Sequence, residues 1–337
     1  MSLPPLRIAT RGSALALWQA EYTRSALLAQ RPEQAVELVV LKTQGDKILD
    51  RPLYAVGGKG LFTKEIEAAL LDGRADVAVH SLKDLPSDAD MHEALHVAAI
   101  PPREDPSDAL VLPRFLLAEH SGRSAGEILR HFSAEARVGT SSLRRACQLL
   151  ALNPSLQISP LRGNVDTRLR HVEVEPEVWS QDASRRMDAV VLATAGLSRL
   201  GHAARITVRF TPDEMIPACG QGALALQCRR DDAETTARLQ RLASRPAAWA
   251  VAAERAFNAA LGGSCHTPLA AHAQLRTDAE LHIVGFVASR ETHQALRAER
   301  VGSVVDEASA RDLGRRLADE LLAQGAAALL SGPEPAA

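Results

Sequence analysis

Two short segments of this 337-residue chain are echoed further along it, and that echo constrains the fold more than any other feature. Arg7-Ile8-Ala9-Thr10 is answered by Arg137-Val138-Gly139-Thr140. Asp76-Val77-Ala78-Val79-His80 is answered by Asp188-Ala189-Val190-Val191-Leu192. Each reads as a strand ending in a polar turn. Strands alternating with helices build parallel α/β sheets, so the echo predicts two lobes made from the same strand–helix units. Ligands of such sheets sit at the carboxyl ends of strands, where both repeats place their polar turns.

Around these anchors the periodicity fills in. Arg11-Gly12-Ser13 opens a helix with Leu17, Ala20, Arg24 and Leu28 on one face, and residues 36–43 form a β-branched strand. A glycine-rich loop at 54–60 precedes a helix over 61–72, with Phe62, Ile66 and Leu70 aligned and Gly73 as its stop. A buried strand over 75–80 leads into the loop Ser81-Leu82-Lys83-Asp84-Leu85-Pro86. From Pro246 the texture changes. A helix over 247–261 ends at Gly262-Gly263, segments 281–288 and 295–301 read as antiparallel strands, and 306–324 is an amphipathic helix aligning Leu313, Leu317 and Leu321. That is a small α+β domain, followed by a frayed tail from Gly332.

Length and composition exclude several classes. The chain is too long for one ordinary core, so two or three domains are expected. A 46% apolar composition with a net charge of −2 is that of a soluble globular protein and argues against a nucleic-acid partner. No stretch approaches the roughly 20 apolar residues of a membrane span, and no basic-then-apolar leader opens the sequence, so a cytoplasmic location is expected. Cys147, Cys219, Cys228 and Cys265 form no C-x-x-C pair.

Two motif matches are decoys. His92-Glu93-Ala94-Leu95-His96 fits a metalloprotease pattern, which needs a helix; Val97-Ala98-Ala99-Ile100 reads as a strand, and no metal is expected. Gly220-Gln221-Gly222-Ala223-Leu224-Ala225 fits a dinucleotide pattern, but alternation from Ala223 to Gln227 begins a strand where that motif needs a helix.

The segment Gly139-Thr140-Ser141-Ser142-Leu143-Arg144-Arg145 is more informative. Hydroxyls at a helix start are N-caps, but arginines in a first turn oppose the helix dipole unless an anion sits there. The alternative is a pair of solvated side chains. Arg11 stands at the matching place in the first lobe, and Arg162, Arg168 and Arg199 flank the later strand ends. Together they suggest a polyanionic ligand between the lobes. Lys83-Asp84 directly follows a buried strand. It is either a surface pair of little consequence or, among so many cations, a carboxylate that stabilises developing positive charge or shuttles a proton. Cys265, in Gly262-Gly263-Ser264-Cys265-His266, is a candidate accessible nucleophile, whereas Cys147 and Cys228 suit apolar core faces.

Seven motifs then occur in order. They are Arg7-Ile-Ala-Thr-Arg-Gly-Ser13, Val56-Gly-Gly-Lys-Gly-Leu-Phe62, His80-Ser-Leu-Lys-Asp-Leu-Pro86, Val138-Gly-Thr-Ser-Ser-Leu-Arg-Arg145, Leu161-Arg-Gly-Asn-Val165, Pro217-Ala-Cys-Gly-Gln-Gly222 and Gly263-Ser-Cys265. Across almost its whole length the chain resembles the porphobilinogen deaminase family. The resemblance implies an α/β fold of two periplasmic-binding-protein type II-like lobes plus a small C-terminal α+β domain. By analogy, domain 1 covers 1–103 and 218–241, domain 2 covers 104–217, and domain 3 covers 242–337. It further implies a dipyrromethane cofactor bound covalently to Cys265 through a thioether, on which four porphobilinogen molecules are joined into hydroxymethylbilane with loss of ammonia. Asp84 matches the catalytic carboxylate, placed to hold pyrrole N–H groups and to stabilise the cationic azafulvene. Lys83, Asp84, Thr140, Ser142, Arg144 and Arg145 match cofactor contacts. Arg11, Ser13, Arg162, Arg168 and Arg199 match residues that hold substrate or the growing chain. Gly57, Gly58, Lys59 and Gly60 match a mobile loop. A monomer without nucleic-acid or membrane partners is implied.

The chain departs from the family pattern in a longer segment at 113–136 and an insertion at 172–186 containing Trp179, both expected on the surface of domain 2. A non-enzymatic anion-binding module of the periplasmic type would explain the lobes and arginines, but would need neither Asp84 nor Cys265.

Overall fold

The computed structural model describes residues 4–43, 63–86, 90–173, 175, 187–264, 267–292 and 294–331. The loop carrying Gly57, Gly58, Lys59 and Gly60 lies outside them, as do Phe62, Trp179, Cys265 and the tail from Gly332.

The chain divides into two compact units, Met1–Glu104 with Gly220–Ala252 and Asp105–Cys219 with Ala253–Ala337. It begins in the first with β1 (Leu6–Arg11), α1 (Ala14–Gln30), β2 (Val36–Leu41), α2 (Lys64–Leu71), β3 (Val77–Ser81) and β4 (Leu95–Ala99). The second unit opens with β5 (Asp108–Val111), α3 (Ala125–Arg130), β6 (Arg137–Gly139) and α4 (Leu143–Leu152). It continues with β7 (Gln157–Ser159), α5 (Val165–Leu169), β8 (Ala189–Ala193), α6 (Thr194–Arg199) and β9 (Val208–Arg209). The chain returns to the first unit for β10 (Leu224–Arg229), α7 (Ala233–Gln240) and the start of α8 (Arg245–Ala260). It closes in the second with β11 (Leu269–Thr277), β12 (Glu280–Ala288), β13 (Ala295–Ser303), α9 (Glu307–Ala323) and α10 (Ala326–Ser331).

Among the described residues, the first unit holds a sheet in the order β2-β1-β3-β10-β4, and the second a sheet in the order β7-β6-β8-β5-β9. The two follow one plan. β1 is parallel to β2 and β3, while β10 is antiparallel to β3 and β4. β6 is parallel to β7 and β8, while β5 is antiparallel to β8 and β9. The aspartates of the sequence echo are part of this plan. The Asp76 carboxylate accepts from the Arg7 backbone N–H at 2.9 Å, and the Asp188 carboxylate from that of Arg137 at 2.8 Å. Each aspartate's N–H returns a bond to the same arginine's carbonyl at 2.9 Å. The repeated Arg–Asp pair thus fixes the register of β1 on β3 and of β6 on β8.

In α1 the Ser13 hydroxyl caps the start by accepting from the Ala16 N–H at 3.3 Å. The buried face is Gln19, Ala20, Thr23 and Leu27, rotated by about one position from the expected Leu17, Ala20, Arg24 and Leu28. Buried Gln19 donates to the Ser81 hydroxyl at 2.8 Å, and Thr23 donates to the Gln19 carbonyl, which holds a polar pair inward; Arg24 pairs with Glu21 instead. Ile8, Leu27, Val77 and Leu226 belong to the core beneath.

The segment 113–136, expected on the surface, is exposed over much of its length but sends α3 into the core. Ser124 and Glu127 form a reciprocal capping box on α3, and Ile128 and Leu129 are fully buried in one core with Leu110, Val138 and Val191. The α+β domain over the last part of the chain is a three-stranded antiparallel sheet, β11-β12-β13, covered by α9. Its helix starts at Asp306, which accepts from the Ser309 N–H at 2.8 Å, and it buries Leu313, Leu317 and Leu321. Each such leucine contributes about 1.5–3 kcal/mol. β11 was not foreseen: its alanines give little alternation in side-chain size. The sheet also packs on α4, where Cys147 sits among Ile216, Ala270, Val284, Phe286 and Ala288.

Candidate active site

In the first unit, Arg11 closes β1 and Ser13 caps α1, while β3 ends in a tight 3-10 turn, Leu82–Asp84. The turn exposes Lys83 and Asp84 and buries Leu82 and Leu85 on either side of them. It is pinned by the segment Gly220–Ala223. Leu82 N–H donates to the Ala223 carbonyl at 3.0 Å, and Lys83 Nζ donates to Gln221 Oε1 at 3.3 Å. Gln221 is itself buried, and its carbonyl accepts from Arg103 Nε at 2.9 Å. Gly220, at φ 72°, leaves room for Leu82: a β-carbon there would lie 2.0 Å from Leu82 Cδ2. Two of the quoted motifs, His80–Pro86 and the glycines at 220 and 222, are therefore one packed structure. The glycines serve this turn, and β10 follows them, so the dinucleotide pattern is ruled out by its own context.

His80 lies beneath the turn, buried, with Nε2 3.0 Å from Gln227 Oε1. Burial pushes its pKa from 6.5 down to about 4, helped by the Arg11 charge and opposed by the Gln227 bond. The ring is therefore neutral at pH 7, and with Gln227 Oε1 as acceptor its Nε2 carries the hydrogen.

In the second unit, the turn after β6 leads into a serine-capped helix, as the end of β1 does in the first. Thr140 is buried and its hydroxyl accepts from the Ser142 N–H at 3.2 Å; the Ser142 hydroxyl caps α4 by accepting from the Arg145 N–H at 3.4 Å. Ser141 clamps the neighbouring motif, donating to the Leu161 carbonyl at 2.6 Å and accepting from its N–H at 2.9 Å. A β-carbon at Gly139 would sit 2.6 Å from Leu161 Cδ1. Arg162 follows this clamp, half-buried, and Arg168 on α5 donates from Nε to the Gly163 carbonyl at 3.0 Å. Arg199 is buried at the end of α6.

Arg144 and Arg145 are not solvated. Both are buried, and the anion at their helix start comes from the chain itself. Asp108, the fully buried first residue of β5, forms ion pairs with Arg144 Nη1 through Oδ2 at 2.7 Å and with Arg145 Nη2 through Oδ1 at 2.6 Å, and its Oδ1 accepts a hydrogen bond from Arg145 Nε at 2.8 Å. Arg145 Nη1 donates further to the Val191 carbonyl at 2.9 Å, and Arg144 Nη1 to the Ile216 carbonyl at 2.7 Å. Among the described residues, Arg144 Nε is buried without a hydrogen-bond partner. One carboxylate cannot neutralise two guanidiniums, so the cluster keeps a surplus positive charge. Sequence reasoning missed Asp108; its only sequence signal was a lone acid opening a short apolar strand, Asp108-Ala-Leu-Val111.

Cys265 lies outside the described residues, but its flanks are described. Gly262 ends α8 at φ 64°, and the Gly263 N–H donates to the Asn258 carbonyl at 2.8 Å. Ser264 and Thr267 share a hydroxyl–hydroxyl bond of 3.0 Å. Behind them, fully buried Glu254 of α8 accepts from the Ala273 N–H of β11 at 2.8 Å. The other cysteines behave as expected where described: Cys147 and Cys228 are buried, and burial lifts the Cys147 thiol to about 11. His92 and His96 share no helix. His96 is in β4, and no cluster able to hold a metal occurs among the described residues.

The fold and these strand-end turns define a class first: a two-lobed α/β protein with a small C-terminal domain, with guanidiniums, hydroxyls and an exposed Lys–Asp turn at its strand ends. The family model described as porphobilinogen deaminase, dipyromethane cofactor binding domain, matches residues 6–237, and the one for the C-terminal domain of porphobilinogen deaminase matches 248–323. Porphobilinogen deaminase of Nitratidesulfovibrio vulgaris (strain DSM 19637 / Miyazaki F) is 47% identical over 327 residues, 97% of this chain and 96% of the relative. That of Trichlorobacter lovleyi is 46% identical over 325 residues (96% and 95%), and that of Syntrophotalea carbinolica 47% over 331 residues (98% and 96%). The chain belongs to the porphobilinogen deaminase family. It carries that family's dipyrromethane cofactor-binding domain, which makes it a transferase of porphyrin and haem biosynthesis that polymerises porphobilinogen. No described helix is long and apolar enough to cross a membrane.

Proposed function

We propose that the chain joins four porphobilinogen molecules head to tail into hydroxymethylbilane, with Asp84 as the catalytic carboxylate and Cys265 as the attachment point of the dipyrromethane. The observation that carries this proposal is the Leu82–Asp84 turn. It presents an exposed carboxylate at the carboxyl end of β3 on a backbone held by buried leucines, Gln221 and the Ala223 carbonyl.

The donor set suits the cofactor. A dipyrromethane carries side-chain carboxylates and pyrrole N–H groups, and the second unit offers a guanidinium pair with surplus charge and an unpartnered buried Nε. Arg144 and Arg145, with Lys83, Thr140 and Ser142, hold its carboxylates. When bound, the group supplies a pyrrole α-carbon as nucleophile. Arg11, Ser13, Arg162, Arg168 and Arg199 hold the acetate and propionate of incoming rings; planar forks suit carboxylates. Asp84 accepts the N–H of the incoming pyrrole. It stabilises the positive charge that develops as ammonia leaves, and stands ready to take the α-proton that the attacking pyrrole ring releases as it rearomatises after the new carbon–carbon bond has formed. The pinned turn means that Asp84 needs little reorganisation for this step.

The three-domain division, 1–103 with 218–241, 104–217 and 242–337, is part of the same proposal. It is supported by the boundary between the two family matches. We also infer a cytoplasmic monomer that acts without nucleic acid, in keeping with the near-neutral charge.

The test is an intact-mass measurement on the purified protein and two variants. Wild type should carry an excess mass of one dipyrromethane, mapped to the Cys265 peptide, and Cys265→Ala should lack it while remaining folded. Asp84→Asn should retain the added mass and lose at least about 10²-fold in turnover, the scale for one preorganised electrostatic group. A modified, active Cys265→Ala variant, or near-wild-type turnover for Asp84→Asn, overturns the assignment.

A further inference from the structure

The Asp108 cluster divides the labour between two arginines that look interchangeable in sequence. Arg145 is spoken for. Nε and Nη2 grip one oxygen of Asp108, and Nη1 reaches the Val191 carbonyl in β8. Arg144 is held by Nη1 alone, between Asp108 Oδ2 and the Ile216 carbonyl, and keeps a buried Nε with no hydrogen-bond partner. A buried donor without an acceptor is a standing cost unless a ligand supplies one. Among the described residues, Asp108 is the carboxylate paired with both arginines, and both guanidiniums are at least nine-tenths buried. Gln148, one turn further along α4, ties the same place down by bonding both the N–H and the carbonyl of Ile216, at 2.7 and 3.1 Å.

We propose that Asp108 is a positioning residue for the polymerisation: it locks Arg145 as an internal brace and aims Arg144, through its unpartnered Nε, as the donor that receives a carboxylate of the bound pyrrole chain. This rests on the proposal above that the two arginines serve the cofactor and refines it: Arg145, bonded within the protein through Nε, Nη1 and Nη2, serves by bracing Arg144 rather than by touching the ligand. Asp108 acts through the two arginines. It keeps two like charges side by side in a fixed orientation and leaves one charge over for the ligand. A charge-balancing acid alone would act in the opposite direction, since removing it would add attraction for an anion. A positioning acid, once removed, costs binding even though the site becomes more positive.

The experiment is a double-substitution cycle on the full-length protein with Asp108→Asn and Arg144→Gln. It reads the fraction carrying dipyrromethane by intact mass, kcat and KM for porphobilinogen, and the melting temperature. Each single variant should lower the loaded fraction or raise KM by about tenfold or more, and in the loaded molecules KM should move more than kcat. In the Arg144→Gln background, Asp108→Asn should add less than about threefold, because its effect passes through that arginine. Fully additive losses, or wild-type loading and KM for Asp108→Asn beside an impaired Arg144→Gln, overturn the positioning role alone. Wild-type behaviour of Arg144→Gln instead overturns the assignment of that arginine to the cofactor. If Asp108→Asn does not accumulate as folded protein, Arg145→Lys tests the brace: it keeps the charge and removes the fork. About tenfold weaker loading or higher KM supports the proposal, and wild-type values refute it.

Discussion

Replacing His80 with glutamine should flatten part of the acid sensitivity of the fold. In the native protein the His80 pKa is pushed from 6.5 down to about 4, chiefly by burial and further by the Arg11 charge. As pH falls through 6.5 the unfolded chain takes up a proton at this position, and the folded chain does not until about pH 4. Stability contributed here is therefore complete above pH 6.5 and is lost as the solution is acidified towards 4. Each pH unit in that window costs about 1.4 kcal/mol, so the whole window is worth roughly 3 kcal/mol. Glutamine can still donate to Gln227 Oε1, which keeps the bond that histidine makes at 3.0 Å. The assay is urea unfolding followed by circular dichroism at pH 7.0 and pH 4.5, on wild type and His80→Gln. Wild type should lose about 2–3 kcal/mol more than the variant between the two conditions. Carboxylate titrations common to both proteins cancel in the comparison. Equal losses would refute the buried neutral imidazole.

Two further outcomes follow from the same geometry. Gly220→Ala forces a left-handed backbone on alanine and drives its β-carbon to 2.0 Å from Leu82 Cδ2. It should destabilise by about 2–4 kcal/mol and, by displacing the Lys83–Asp84 turn, lower kcat even at temperatures where the variant stays folded; wild-type kcat in the folded variant would show that the turn tolerates the shift. A thiol reagent at pH 8 should leave Cys147 and Cys228 unmodified in the native protein and label both after denaturation, since both are buried and the Cys147 thiol is raised to about 11; fast native labelling of either would contradict the packing.

Much of the architecture was legible because polar residues at strand ends have few alternatives. The Arg–Asp echo marked paired strands, Ser13 and Ser142 marked helix starts, and Asp306 to Gln324 bracketed α9. What could not be read was anything decided by who lies opposite. Arg144 and Arg145 read as holders of a ligand anion or as solvated side chains, not as partners of Asp108, because that aspartate precedes them by a whole helix and strand. The buried face of α1 turned by one position because Gln19 found a hydroxyl at the end of β3. Ile128 and Leu129 lie in a stretch rich in Gly, Ser, Arg and Glu, whose composition hid a core helix. Asp84 was identifiable as a candidate from its neighbours in sequence, but the buried Gln221 that holds Lys83 beside it comes from more than a hundred residues away.

The first unit's sheet takes its antiparallel member from chain on the far side of a crossing: β10 arrives beside β3 only after the whole of the second sheet has been laid down. On the ribosome, the first 104 residues therefore emerge with β3 and β4 lacking the strand that joins them. Such long-range closure slows folding and prolongs the exposure of strand edges. A nascent chain halted before Leu224 would hold an unfinished first sheet, which makes β10 a checkpoint that only a product reaching Arg229 can pass.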